Sequence, residues 1–319
     1  MCQFLKLMDD PRLNEKLGEE LTIAEMKSAI DQVSRFGVIF FTGGEPLLRK
    51  DIMEAVRYAC SKRKTYLVTN GILLKSDLSK EFVELGCRNV LGSGMASVGV
   101  SLEGPEAIHD ETVRAPGSFG KILENVRHFV ELKKKSGKKY PLIALKCVIT
   151  AATLPHLNEM YGLAEEVGVD IFNPITEYNM PHTDRLEMDS SADFNRSPDP
   201  ITGIDIDLLR SELFKIVERS KSSRVQLRLT PPGISNEDII AHYEGRLNLE
   251  NKLCYSPWGT AAISAYGDLF PCSNFVVGNI RDEPFMEIWN NEKMRRFRRE
   301  IKSRGVFPAC TGCCNLLTE

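Results

Sequence analysis

Phe40-Phe41-Thr42-Gly43-Gly44-Glu45-Pro46-Leu47-Leu48 runs an apolar segment straight into a Gly-Gly-Glu-Pro turn. Residues 37–41 have the length and apolar character of a buried strand. Two adjacent glycines let backbone approach a ligand closely, and the acid beside them accepts hydrogen bonds from an ammonium group. Taken alone, the same residues also suit a plain strand-to-helix turn. Outward from this stretch the pattern repeats. An amphipathic helix is expected at 22–35, before the strand. After it come helix 51–61, strand 65–69, helix 79–85, strand 97–102, helix 119–135, strand 142–149, helix 154–167 and strand 170–174. Strand and helix alternating at this spacing imply parallel βαβ units, in an open sheet or a barrel.

Residues 180–204 break the pattern with Pro181, Pro198, Pro200 and many small polar residues, and read as a long loop. A helix at 206–220 and an apolar alternation at Val225, Leu227 and Leu229 follow, until Pro231 and Pro232 interrupt. From Cys254 the composition shifts to Gly, Pro, Cys and aromatics, which sets a boundary between 233 and 250. The 319 residues carry a net charge of −3 with 42% hydrophobic and 27% charged side chains. That is the composition of a folded globular chain, and it argues against a nucleic-acid surface built on bulk basicity. No apolar run reaches the roughly 18 to 20 residues that span a bilayer. A cytoplasmic protein with neither membrane nor nucleic acid as partner is the expectation.

Nine cysteines are present, and Cys310, Cys313 and Cys314 crowd together at the end. In a cytoplasmic chain such crowding points to metal or redox chemistry before disulfides. Cys60, Cys87 and Cys147 fall within apolar patterns and read as core residues. Cys254 is separated by twelve residues from Gly267, and Gly267 by four from Cys272. The residues between read as a hairpin turning at Gly267-Asp268, which brings its flanking cysteines together. A helix at 284–302, containing Phe285, Ile288, Trp289 and Phe297, then lets the chain return Cys310-Thr311-Gly312-Cys313. Trp258 and Trp289 read as packing residues. Four convergent thiolates suit zinc or an iron–sulfur cluster on ligand grounds.

The chain resembles radical S-adenosylmethionine (SAM) enzymes. In that family the motif matched by Gly43, Gly44, Glu45 and Pro46 binds the amino group of the cofactor's methionine part. The family's Cys-x-x-x-Cys-x-x-Cys signature precedes that motif. Cys2 fits its third cysteine, with Met1 as the hydrophobic residue before it. The first two cysteines and the first barrel strand would lie upstream of Met1, as in a fragment or a start assigned at an internal methionine; a degenerate protein or an unrelated N-terminal cysteine is the other reading. Val68-Thr69-Asn70-Gly71 resembles the family at one strand end. Val98-Gly99-Val100-Ser101-Leu102-Glu103-Gly104-Pro105, with His109, Asp110 and Arg114, resembles it at another. Asn70, Ser101, Glu103 and Arg114 are carried over as residues near the cofactor's ribose and carboxylate. Helix capping is the alternative for each of them.

The resemblance implies a 4Fe-4S cluster whose unligated iron chelates SAM, reductive cleavage to a 5′-deoxyadenosyl radical, and hydrogen abstraction from a substrate. With Cys2 alone, that site is incomplete in this sequence. The C-terminal pattern resembles the SPASM/twitch extension, which implies an auxiliary 4Fe-4S cluster on Cys254, Cys272, Cys310 and Cys313, with Cys314 able to replace Cys313. The implied fold is α/β: a partial (β/α)6 TIM-like barrel lacking its first strand over 1–232, then an α+β SPASM/twitch extension over 233–319. The implied function is an oxidoreductase or maturase acting on a peptide or small-molecule substrate, with an electron donor such as a flavodoxin or ferredoxin. A non-catalytic iron–sulfur protein that keeps only the auxiliary cluster is the rival reading. Glu177, Tyr178, Asn179 and His182 either line the pocket or form a plain loop.

Overall fold

A computed structural model describes residues 20–178, 197–250, 252–272, 275–313 and 315–318. Cys2, Asn179, His182, Cys314 and most of the 180–204 loop lie outside these residues. The chain forms two compact units, one of Val33–Ile175 and Gly203–Thr230, the other of Met1–Gln32, Thr176–Thr202 and Pro231–Glu319.

Helix α1 (Ile23–Gln32) comes first among the described residues and belongs to the second unit. The first unit is built on β1 (Val38–Phe41), β2 (Lys64–Thr69), β3 (Gly94–Ser101), β4 (Leu142–Ile149), β5 (Ile171–Thr176) and β6 (Gln226–Leu227), neighbours in the sheet in the order of the sequence. The pairs β1·β2, β2·β3, β3·β4 and β5·β6 run parallel. The connections carry α2 (Ile52–Lys62), α3 (Ser76–Glu84), α4 (Glu106–Val113), α5 (Ser118–Ser136), α6 (Leu157–Val167) and α7 (Ile206–Ser220).

Strand β3 is buried along nearly its whole length, as a parallel strand covered on both faces must be. Against the sheet lie Ala55, Val56 and Ala59 of α2, Ile122, Val126 and Phe129 of α5, and Leu157, Met160 and Tyr161 of α6, all fully buried. Each large side chain withdrawn from water contributes about 1.5–3 kcal/mol. Tyr161 meets Phe172 edge to face at 5.5 Å, and its buried hydroxyl donates to the Val225 carbonyl at 2.6 Å. The alternation at 225–229 thus supplies a sixth strand, with Gln226 and Leu227 paired to Ile171 and Phe172. Helix α4 was not foreseen, because His109 is its one buried residue and it carries no apolar stripe.

The second unit contains α8 (Asn236–Tyr243), β7 (Lys252–Leu253), α9 (Ser256–Gly259), β8 (Ala262–Ile263), β9 (Asp268–Phe270), β10 (Gly278–Asn279), α10 (Phe285–Trp289), α11 (Glu292–Arg304) and β11 (Leu317–Thr318). The expected hairpin is present as β8 and β9, and β10 adds a third antiparallel strand. The single helix expected at 284–302 is two helices. Asn291 divides them, its side chain accepting from the Met294 N–H at 2.9 Å to start α11. Trp289 packs on Phe285, whereas Trp258, expected to pack, is exposed.

At the start of α1 the Thr22 hydroxyl accepts from Glu25 N, and the Glu25 carboxylate accepts from Thr22 N, a reciprocal capping box. Glu25 also pairs with Arg281 at 2.8 Å, and Leu21 N donates to the Ala265 carbonyl, so α1 is fastened to the residues around the hairpin. Among the described residues no helix is long and apolar enough to cross a membrane.

Candidate functional site

Gly43, Gly44, Glu45 and Pro46 follow the C-terminal end of β1, where parallel α/β units gather their ligands. Gly43 has φ +131°, a conformation that requires glycine, and a Cβ added at Gly43 or Gly44 would meet no atom within 4 Å. Backbone is therefore open to close approach there. The Glu45 carboxylate holds the turn in shape. One oxygen accepts from Leu47 N at 3.0 Å and from the Thr69 hydroxyl at 2.8 Å, and the other accepts from Asn70 N at 2.6 Å. Glu45 thus ties the end of β1 to the end of β2. A carboxylate has about four acceptor positions, so three bonds leave it able to take one more. The Asn70 side chain accepts from Ile72 N at 2.9 Å and shapes the turn after β2.

A second carboxylate does the same work two strands on. Glu103 accepts from Val148 N at 2.9 Å, tying the end of β3 to β4. Burial raises its pKa, and the bond from Val148 and the charge of Lys146 pull it back. Its own N–H donates to His109 Nδ1 at 3.0 Å, so the buried imidazole carries its proton on Nε2. Burial also keeps His109 below the ordinary histidine range. Asp110 accepts from Ser118 Oγ and Phe119 N, both at 2.9 Å, and caps α5. Those bonds hold its carboxyl below the usual range. Ser101 ends β3, half-buried and in register with Lys146. Arg114 is exposed after α4 and has φ +55°, the one left-handed non-glycine residue among those described.

Cys60, Cys87 and Cys147 are buried, and desolvation pushes all three thiols up, Cys60 to about 12. They are core residues, as their sequence contexts imply. Cys254, Cys272, Cys310 and Cys313 are instead half-buried. Two short pairings bring them to one end of the unit. β7 ends at Leu253, beside Cys254, and pairs with Leu317 of β11, which returns the C-terminal cysteines. The hairpin returns Cys272 to the Phe297, Ile301 and Phe307 cluster on which Cys310 also packs.

Burial and the nearby Cys272 and Cys254 push the Cys310 thiol up to about 12, against a 3.4 Å bond from Phe307 N. A thiol so placed ionises when a cation offsets the charge, which is what a cluster ligand needs. Among the described residues no three Cys, His, Asp or Glu side chains surround a single ion. Each thiolate of a four-iron cluster binds a different iron, and Cys254 and Cys272 stand near enough to Cys310 to raise its pKa, so this donor set suits a cluster.

Residues 1–160 match the Radical SAM superfamily, and residues 254–314 match SPASM, an iron–sulfur cluster-binding domain. The chain belongs to the radical SAM superfamily. It is 28% identical to an AdoMet-dependent heme synthase of Methanosarcina barkeri, over 92% of this chain and 82% of that protein. It is 24% identical to the mycofactocin maturase MftC of Mycolicibacterium smegmatis, over 92% of this chain and 70% of the relative. Streptococcus suis SuiB bound to S-adenosylmethionine shares the fold, with a TM-score of 0.61 at 15% identity over 92% of this chain and 66% of that one. This radical SAM chain is an enzyme, and its cofactors are 4Fe-4S clusters and SAM. The fold is the mixed α/β one that the sequence implies, with the SPASM region at its C-terminal end.

Sequence reasoning passed over Thr69, whose hydroxyl links Glu45 to Gly71 N, and Asp110 as a cap. It also passed over His242, which donates from Nε2 to the Glu177 carbonyl at 2.8 Å and is nine-tenths buried. The His242 contact had no signal, since no spacing links His242 to Glu177.

Proposed function

We propose that this radical SAM enzyme oxidises a cofactor precursor of the carboxylated tetrapyrrole class. The likeness to the heme synthase carries the reading, because it extends over 92% of the chain. In this reading the backbone at Gly43 and Gly44, with Glu45 and Pro46, receives the methionine amino group of SAM. Asn70, Ser101, Glu103 and Arg114 lie toward its ribose and carboxylate. Cys254, Cys272, Cys310 and Cys313 hold the auxiliary cluster, and Cys2 serves the first cluster. The boundary between the two functional parts falls at 232/233, and a flavodoxin or ferredoxin supplies electrons.

Bound SAM and its cluster supply the 5′-deoxyadenosyl radical. The residues named above would hold SAM, whose radical would take one hydrogen atom from a substrate carbon, and the four thiols would hold a cluster able to accept the second electron as the substrate sheds a proton or carbon dioxide.

The test is anaerobic turnover of the protein, expressed with whatever codons precede Met1 in its gene, with SAM, dithionite and an iron porphyrin bearing propionate side chains. The tetrapyrrole should accelerate 5′-deoxyadenosine formation at least about tenfold, a barrier difference of about 1.4 kcal/mol. No acceleration would overturn the tetrapyrrole reading. Acceleration by a precursor peptide instead would move the substrate to the peptide class, which the likeness to the mycofactocin maturase favours.

A further inference from the structure

The residues that follow β5 lie against the loop bearing the C-terminal cysteines. The Tyr178 hydroxyl donates to the Ala309 carbonyl at 2.9 Å, one residue before Cys310. Glu177 is gripped from α8 on both sides of its peptide. Its N–H donates to the Tyr243 hydroxyl at 2.9 Å, and its carbonyl accepts from His242 Nε2 at 2.8 Å. The same His242 ring lies over Gly312, between Thr311 and Cys313. A Cβ at Gly312 would stand 2.4 Å from His242 Cε1 and 3.2 Å from the Tyr178 ring, and Gly312 has φ +77°. Tyr178 therefore holds the loop on one side of Cys310, and His242 and Tyr178 together bear on it beside Cys313.

Imidazole orientation is fixed as well. Nε2 donates to a carbonyl, and Nδ1 is buried with no hydrogen-bond partner among the described residues. Burial depresses the basicity of the ring, which takes the space over Gly312 as a flat plate.

We infer that Tyr178 and His242 are positioning residues for the auxiliary cluster, setting the separation of Cys310 and Cys313 through Ala309 and Gly312. The inference rests on the four-cysteine site of the proposed function. Neither side chain is a ligand. Each acts on the loop backbone that carries the ligand cysteines, and contacts outside the ligands tune the spectrum and potential of a bound cluster.

The test uses the full chain, reconstituted anaerobically with iron and sulfide, and reads the reduced auxiliary cluster by EPR and iron release to a chelator. A Cys310→Ser variant identifies which signal belongs to this site. Tyr178→Phe removes one hydroxyl and keeps the ring. It should begin with wild-type iron content, show shifted g values, and lose iron about fivefold faster, the equivalent of one hydrogen bond of about 1 kcal/mol. His242→Phe keeps a plate over Gly312 but drops the bond to Glu177, and should shift the spectrum in the same sense. Should His242→Phe fail to fold, Tyr178→Phe decides alone. A cluster present in the wild type whose spectrum and release rate ignore Tyr178→Phe overturns the inference and leaves the proposed function standing. Iron content and spectrum unchanged by Cys310→Ser would overturn the cluster site itself, and the inference with it.

Discussion

The two units hold their candidate sites by different means. In the sheet unit five of the six strands have four to eight residues, with hydrophobic helices over them and two carboxylates, Glu45 and Glu103, stitching strand ends together beside the Gly-Gly-Glu-Pro turn. Such a site is formed before any ligand arrives. The cysteine unit has strands of two or three residues and small apolar clusters around Leu269 and Phe297. Its four thiols are half-buried, and Cys310 has a raised pKa that a metal cation would relieve. A cluster held by these thiols would complete the fold, as in other small metal-dependent domains. One turn is shaped by backbone and carboxylates; the other site would be finished by its metal.

The largest expected effect separates the two. Chelating iron, or replacing Cys272 by Ser, should speed amide exchange across 252–313 by an amount equivalent to at least about 3 kcal/mol, while β2, β3 and β4 stay protected. Hydrogen exchange with peptide resolution reads both at once, and equal loss in the two units would break the comparison. Next comes Glu45→Ala, which strands the buried Thr69 hydroxyl and the Asn70 N–H. It should cost about 2 kcal/mol in denaturant unfolding and weaken SAM binding measured by calorimetry. An unchanged unfolding midpoint would mean that Glu45 does not organise the turn. Gly312→Ala should destabilise the cysteine unit by about 1–2 kcal/mol, through its positive φ and the collision with His242. Adding His242→Ala should recover the steric part, and a simple sum of the two losses would deny the contact.

What the sequence revealed follows the same division. Alternating apolar periods located β1 to β5 and most of the helices, because burial on a repeating architecture leaves a periodic trace. The Cys254, Gly267, Cys272, Cys310 and Cys313 spacing pointed to the region that matches SPASM, because ligand residues are few in kind. The breaks came where geometry depends on a single polar contact. Asn291 splits one expected helix into two, His109 is the one buried residue of α4, and Thr69 and Asp110 act through hydrogen bonds to distant backbone. His242 meets Glu177 from 65 positions away, and no local pattern encodes a contact at that range.

The smallest effect expected concerns α1, which is fastened by charge where the sheet is fastened by burial. The Arg281 guanidinium, helped by the capping bonds from Thr22, holds the Glu25 carboxyl down to about 2. A depressed acid contributes stability that is complete above its unfolded pKa, near about 4.3, and is lost as pH falls toward 2. Both partners are about one-third exposed, so water and salt screen the pair and its worth is at most about 1 kcal/mol. Arg281→Gln should therefore lower the melting temperature slightly at pH 6 and not at all near pH 2, and 0.5 M salt should shrink the difference at pH 6 by roughly half. A penalty that persists unchanged at pH 2 would mean that Arg281 fastens α1 through the Glu20 carbonyl, to which its guanidinium donates at 3.0 Å, with the Glu25 charge contributing nothing.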